Sequence, residues 1–292
     1  MKKQKPAVKA FTLIELVIVV AIIAILVTAV VQGSLMINAS RISGAKSFTS
    51  KSPVPNIDGL IAWYETSGAD SIKSGQNYDG ARTSEWRDIS PNSLVTQRNK
   101  LTRTASSAVT YVAEGINKIP SIKFSGGANI VLSGFYQGTF PQYTIFVVFS
   151  PLAAPSATAQ TILDSGATNT SSIAIKNNTV ALNAGSTVET GTGTTTAAFY
   201  INNPYIVAVY FNNTSSQVFV NDVTAQTGSG YLSPGTNQLT GLTIGTARGG
   251  SIGGLNGLIS EIIIYNRPLK FAERHDVFKY LSEKYKIAVT NL

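Results

Sequence analysis

From Thr12 to Val31 only Thr12, Glu15 and Thr28 carry polar side chains, and a run of about 20 apolar residues is what a helix needs to cross a bilayer. The apolar residues fall on every face of the helix they predict. That suits a membrane span or a filament core better than an amphipathic surface helix. Glu15 conflicts with such surroundings. An ionisable group at the bilayer centre costs roughly 2.5–3.5 kcal/mol on insertion scales, so a carboxylate there needs a partner or a role.

Three readings of the N-terminus compete. A removed secretory signal has a basic start, about 7–15 apolar residues and a small-residue cleavage site, for which Thr28-Ala29 or Gln32-Gly33 would serve loosely. A plain anchor fits by length, with Lys2, Lys3, Lys5 and Lys9 holding the N-terminus in the cytoplasm. Neither accounts for Glu15. The third cuts the chain between Ala10 and Phe11, creating an α-amino group four residues before Glu15, about one helical turn away. In low dielectric that amine and the carboxylate neutralise one another, within one chain or between neighbours.

Lys9-Ala10 followed by Phe11-Thr12-Leu13-Ile14-Glu15-Leu16 and a Val/Ile/Ala run resembles the cleavage and methylation signature of type IV prepilins and pseudopilins. The resemblance implies a prepilin peptidase that cuts before Phe11 and methylates its new amine. It also implies that Glu15 pairs with the N-terminal amine of an adjacent pilin subunit during assembly. Ala10 stands where that family usually has Gly, which implies slower processing. The chain is then a single-pass membrane precursor, N-terminus cytoplasmic, that later joins a surface or periplasmic filament.

No proline occurs between Phe11 and Pro53, so nothing kinks the helix early. Its apolar signal fades after Ile37, and the polar stretch to Ser47 extends it as a stalk. Pro53 and Pro55 then end it. The expected organisation is a leader over residues 1–10, a hydrophobic helix and stalk over 11–48, a linker over 49–56, and one outer domain over 57–292.

The net charge of +8 looks at first like a nucleic-acid signal, but four of the 23 Lys and Arg lie in the first nine residues. The remainder form no basic run, so nucleic-acid binding gains no support. With no cysteine there are no disulfides and no thiolate metal sites. The outer domain is long enough to build a core without them.

From Ile57 onward, short runs rich in Val, Ile, Tyr and Phe alternate with Gly, Asn, Ser and Pro, the pattern of strands and turns. Expected strands are Leu60–Tyr64, Ser121–Phe124, Asn129–Leu132, Tyr143–Phe149, Thr161–Leu163, Ser172–Ile175, Thr179–Asn183, Tyr205–Phe211, Gln217–Val220, Leu242–Ile244 and Leu258–Tyr265. Tyr143–Phe149 and Tyr205–Phe211 are nearly continuous in apolar character, as expected of central strands covered on both faces. Gly185 to Thr196 reads as an exposed loop or edge. Phe271 to Tyr285 reads as a closing helix with Phe271, Phe278, Leu281 and Tyr285 on one face. The expected class is mainly β: an N-terminal hydrophobic α-helix, then a two-sheet β-sandwich with a C-terminal helix.

The segments Ile57 to Tyr64, Glu85 to Ser90, Lys118 to Phe124 and Gly257 to Ile287 occur in that order and resemble bacterial LamG-like domains of the concanavalin A-like superfamily. The resemblance implies a jelly roll, whose relatives bind extracellular glycans, bind proteins or merely pack.

Trp63 and Trp86 are the candidates for an aromatic sugar platform, weighed against plain packing, which the neighbouring strands favour. Asp58, Asp79, Asp88 and Asp164 offer oxygen chemistry for calcium, but no loop has Ca²⁺-ligand spacing, so no metal and no cofactor are expected. His275, the single histidine, reads as a solvent-facing helix residue. A sugar hydrolase needs two carboxylates flanking the scissile bond, commonly at alternate positions of one strand. Leu258–Tyr265 offers only Glu261, and the expectation is that the chain is not an enzyme.

Overall fold

The computed structural model describes residues 12–91, 99–104, 108–154, 158–166, 170–185, 189–190, 199–225, 232–248 and 253–292. The chain divides into two units, the first ending at Ser43 and the second beginning at Gly44. One helix, α1 (Leu13–Ser50), makes up the described part of the first unit apart from Thr12, and its last turns belong to the second. From Leu13 to Val31 its side chains are exposed on every face, and it is long and apolar enough to cross a membrane. Water is a poor solvent for that surface.

Among the described residues the second unit holds fifteen strands: β1 (Leu60–Glu65), β2 (Glu85–Trp86), β3 (Leu101–Arg103), β4 (Thr110–Val112), β5 (Ser121–Ser125), β6 (Ile130–Leu132), β7 (Tyr143–Pro151), β8 (Gln160–Asp164), β9 (Ser172–Lys176), β10 (Thr179–Asn183), β11 (Glu189–Thr190), β12 (Tyr205–Phe211), β13 (Gln217–Val220), β14 (Leu242–Ile244) and β15 (Asn256–Tyr265). A helix, α2 (Phe271–Tyr285), follows. One sheet runs β13, β12, β7, β15, β5, β4, with β1 also paired to β15. The other runs β11, β10, β9, β8, β14, β6, β3, β2. The result is an antiparallel sandwich with helices at both chain ends.

Alternation along the strands explains the two continuous apolar runs. Tyr143, Ile145, Val147 and Phe149 of β7 point into the core between the sheets, whereas Phe146 and Val148 point outward. The same split on β12 sends Val207 and Val209 inward, Ile206 and Ala208 outward. The outward residues do not meet water, because α2 covers them with Val277, Phe278 and Leu281. Ala45 of α1 belongs to the same outer cluster, and Phe48 packs against it. The first sheet is therefore buried on both faces.

The strands β2, β3, β4 and β11 were not expected; they are two or three residues long and too short to show a period. The loop expected over Gly185 to Thr196 falls largely outside the described residues, but Glu189–Thr190 pairs with β10. Phe271 departs from the face expected of it. It is 59% exposed, while Lys284, a charged position, is 3% exposed.

Phe278 is fully buried and meets Phe146 edge-on, with ring centroids 5.5 Å apart. Phe278→Ala is expected to destabilise the second unit by about 3–5 kcal/mol, measured by thermal or denaturant unfolding of the detergent-solubilised chain.

Candidate functional site

Glu15 has a partner within its own helix. Its Oε2 accepts the Thr12 backbone N–H and the Thr12 hydroxyl, both at 2.8 Å, while the Glu15 N–H donates to Thr12 Oγ1 at 3.3 Å. This is a capping box, in which Thr at the cap and Glu three residues on satisfy one another's backbone amides. It was legible as Thr-x-x-Glu and was overlooked. Among the described residues Oε1 accepts no hydrogen bond, so one carboxylate oxygen stays open for a second donor. Ala10 and Phe11 lie outside the described residues.

The second site is a buried charge cluster between β1, β15, α2 and the end of α1. Glu65 and Glu261 are register partners on neighbouring antiparallel strands, so their side chains share a face. A register shift between Ile259 and Glu261 makes this possible. Before it, Ile259 faces the inter-sheet core; after it, Ile262 and Ile264 do. The irregularity turns Glu261 away from the core and toward α2, a known effect of bulges.

Lys284 rises from α2 to meet both carboxylates. Its Nζ lies 2.7 Å from Glu261 Oε2 and 3.3 Å from Glu65 Oε2, and it donates to Thr49 Oγ1 at 2.8 Å and Tyr280 Oη at 3.1 Å. The Thr49 hydroxyl in turn donates a hydrogen bond to the Ala45 carbonyl. Glu261 also accepts from Trp63 Nε1 at 2.7 Å, Tyr280 at 2.8 Å and Tyr285 at 2.9 Å. Glu65 accepts from the Ser67 and Gly68 backbone amides and from the Ser67 and Ser71 hydroxyls. Two carboxylates thus share one ammonium, and hydrogen bonds stabilise the excess negative charge.

Burial pushes the Glu65 carboxyl up, but Lys284 and the bonds from Ser67 and Ser71 outweigh it and hold it below the usual carboxylate range. Burial first, then Glu261, raises Tyr280 and Tyr285 well above the usual phenol range. Both hydroxyls therefore stay protonated and donate.

The remaining candidates are spread through the fold. Trp86 is fully buried, tilted against Tyr64 at 5.9 Å, with its Nε1 donating to the Glu65 carbonyl. Trp63 is buried with Tyr280 edge-on at 6.2 Å. Asp88 accepts the Trp63 and Ser90 amides, and Asp164 accepts those of Ser165, Ser171 and Arg248. Asp79 accepts the Ala113 amide, and Asp58 offers its carbonyl to Arg267. His275 lies partly exposed beside Asp276. Among the described residues no group of three or more His, Asp or Glu is placed to hold a metal ion.

Residues 5–31 match the prokaryotic N-terminal methylation motif. With the apolar helix, this makes the chain a membrane-anchored precursor with a pilin-like N-terminus. Its later place is a surface or periplasmic filament. Among curated proteins no sequence matches it. The fold is similar to that of a Trypanosoma rangeli sialidase in complex with sialic acid, at TM-score 0.50 and 16% identity over 80% of this chain and 34% of that one. The chain thus spans about a third of that sialidase's length. It is also similar to domain 4 of AbnA, a GH43 extracellular arabinanase from Geobacillus stearothermophilus, in complex with arabinotriose. There the TM-score is 0.52 and the identity 17%, over 75% of this chain and 98% of that one. A third likeness is to the binding domain of Paraclostridial Mosquitocidal Protein 1, at TM-score 0.54 and 12% identity over 76% of this chain and 52% of that one.

These likenesses correct the expectation that the chain is not an enzyme. A sandwich of this kind recurs in chains of a sialidase and an arabinanase, so the fold gives no ground for excluding catalysis. A carboxylate pair can also be assembled from separate strands, as β1 and β15 bring Glu65 and Glu261 together, but these two are buried and share the Lys284 ammonium.

Lys284→Met is expected to cost about 3–5 kcal/mol, because it leaves two carboxylates buried without their cation; adding Glu261→Gln should recover part of that loss, read by unfolding of single and double variants. The pH dependence should also change sign. With Glu65 held low, the wild-type cluster contributes stability above about pH 4 that is lost as pH falls through the folded value. In Lys284→Met the burial of Glu65 loses its main offset, the Glu65 carboxyl rises, and mild acidification should raise the melting temperature.

Proposed function

We propose that the chain is a type IV pilin-like or pseudopilin structural subunit, held in the membrane by α1 before assembly and displaying a LamG-like head. The observation that carries this is the methylation motif over residues 5–31 with Glu15 inside it. Its mechanism is removal of Met1–Ala10 by a prepilin peptidase, pairing of the Phe11 amine with Glu15, and packing of apolar helices with other subunits. The capping box supports the pairing, since Thr12 occupies Glu15 Oε2 and leaves Oε1 for an ammonium. Those Thr12 groups survive a cut before Phe11, so the helix start is preserved through processing.

A second reading concerns the head. Domain 4 of the arabinanase, aligned over nearly its whole length, was solved with arabinotriose, and this favours a glycan-binding or adhesive role for the head, on a filament or on a plain anchor.

N-terminal sequencing and intact mass of the mature protein should give methylated Phe11; a start at Met1 or beyond Val27 overturns the subunit reading. Ala10→Gly is expected to speed processing, followed by the precursor-to-mature ratio on gels. Glu15→Ala should leave membrane insertion intact and reduce filament incorporation roughly tenfold or more, since a lost buried ion pair costs several kcal/mol.

A further inference from the structure

At the end of the first sheet, a cavity of about 360 Å³ is lined by Glu114, Asn117, Lys118, Ser150 and Asn202 over an apolar floor that includes Leu258. That volume lies at the small end of ligand sites, which run from about 300 to 1,000 Å³. Ser150 lies on the outward face of β7, opposite Leu258 of β15, and is 3% exposed. Its hydroxyl takes no hydrogen bond from any described residue, so a nearly buried donor and acceptor opens onto the cavity unused. A buried hydroxyl is ordinarily paired.

The polar walls are held in place. Asn117 and Lys118 both adopt left-handed backbone, with φ of 48° and 68°, which is costly away from glycine. Asn117 Nδ2 compensates by donating to the Tyr285 carbonyl at 2.7 Å, at the end of α2. Gly115 permits the approach, since a Cβ there would lie 2.0 Å from Ser121 Oγ. On the opposite wall the Asn202 amide N–H donates to the Pro151 carbonyl at 2.8 Å, and its side chain makes no bond to a described residue. Tyr200, in the same turn, is 63% exposed.

A hydroxyl, an amide and a Lys118–Glu114 ion pair at 2.7 Å surround an apolar floor. The charges of the pair cancel. Such a set matches a ring with hydroxyls around its edge and a C–H face beneath, and offers no net charge to attract a carboxylate. We propose that this cavity binds one unit of a neutral oligosaccharide, with Ser150 and Asn202 as its hydrogen-bonding groups. The assignment rests on the glycan-binding reading of the head and gives it a location.

The test is saturation-transfer NMR and titration calorimetry on the detergent-solubilised full chain with arabinotriose, xylotriose and cellotriose, and with sialic acid as an anionic control. At least one neutral trisaccharide should bind and sialic acid should not. Ser150→Ala and Asn202→Ala should each weaken binding roughly 5–10-fold, the loss of about one hydrogen bond, and Ser150→Leu should abolish it by filling the cavity. Asn202 is exposed, so its variant should keep the wild-type melting temperature and remain informative if Ser150→Leu unfolds. Neutral binding that survives all three substitutions overturns the cavity assignment and leaves the glycan reading standing. Binding of sialic acid in preference to the neutral sugars also overturns the assignment, and no binding by any probe overturns both.

Discussion

The ammonium of Lys284, with no accessible surface on its side chain, must be answered by negative charge wherever it is buried, and that requirement organises the base of the head. It draws together a strand from near the start of the second unit, one from near its end, the last helix and the last turns of α1. Hydrophobic contact alone would hold α2 to the sheet, since Val277, Phe278 and Leu281 cover Phe146, Val148 and Ile206. Such contact is tolerant of sliding. The cluster is not, because each Lys284 bond has a fixed direction and a displaced ammonium leaves a carboxylate unpaired in low dielectric.

Thr49 gives α1 a share in that arrangement. Its hydroxyl accepts from Lys284 and donates back to Ala45, so the end of the helix is tied into the charge network as well as packed through Ala45 and Phe48. At the other end of α1, Thr12 and Glu15 make a small and local version of the same device, a carboxylate satisfied by donors the chain itself supplies. In both places the charge is satisfied before any outside partner arrives. What differs is that Glu15 retains an open oxygen.

How far the sequence could be read depended on whether the signal was local. The runs of β7 and β12 are long and continuously apolar and that of α2 is periodic, so β12 and α2 were legible from residue type alone and β7 to within two residues of its end. The motif around Phe11 was legible because six consecutive residues carry it. The charge cluster was not, because Glu65, Glu261 and Lys284 are far apart in the chain and no local pattern pairs them. On α2 the spacing placed Phe271 on the buried face, yet Phe271 sits at the first turn, beyond the sheet's cover, with the Arg274 guanidinium 5.3 Å from its ring. Lys284 takes an interior position only because two carboxylates wait there. The partners of the two indole groups were hidden for a related reason: Trp63 and Trp86 donate to Glu261 and to the Glu65 carbonyl, which no local pattern announces.

The shifted register at Ser260 limits how this chain can change in length. Loops of the sandwich can gain or lose residues with little consequence, because they meet solvent. β15 lacks that freedom. Paired in simple alternation without loss of a residue, the strand would put Glu261 on the same face as Ile259, inside the apolar layer between the sheets, and leave Lys284 facing an isoleucine. Variation by insertion and deletion in this head should therefore accumulate in its turns, while the residue count from Glu261 to Tyr265, whose ends share the face under α2, stays constant.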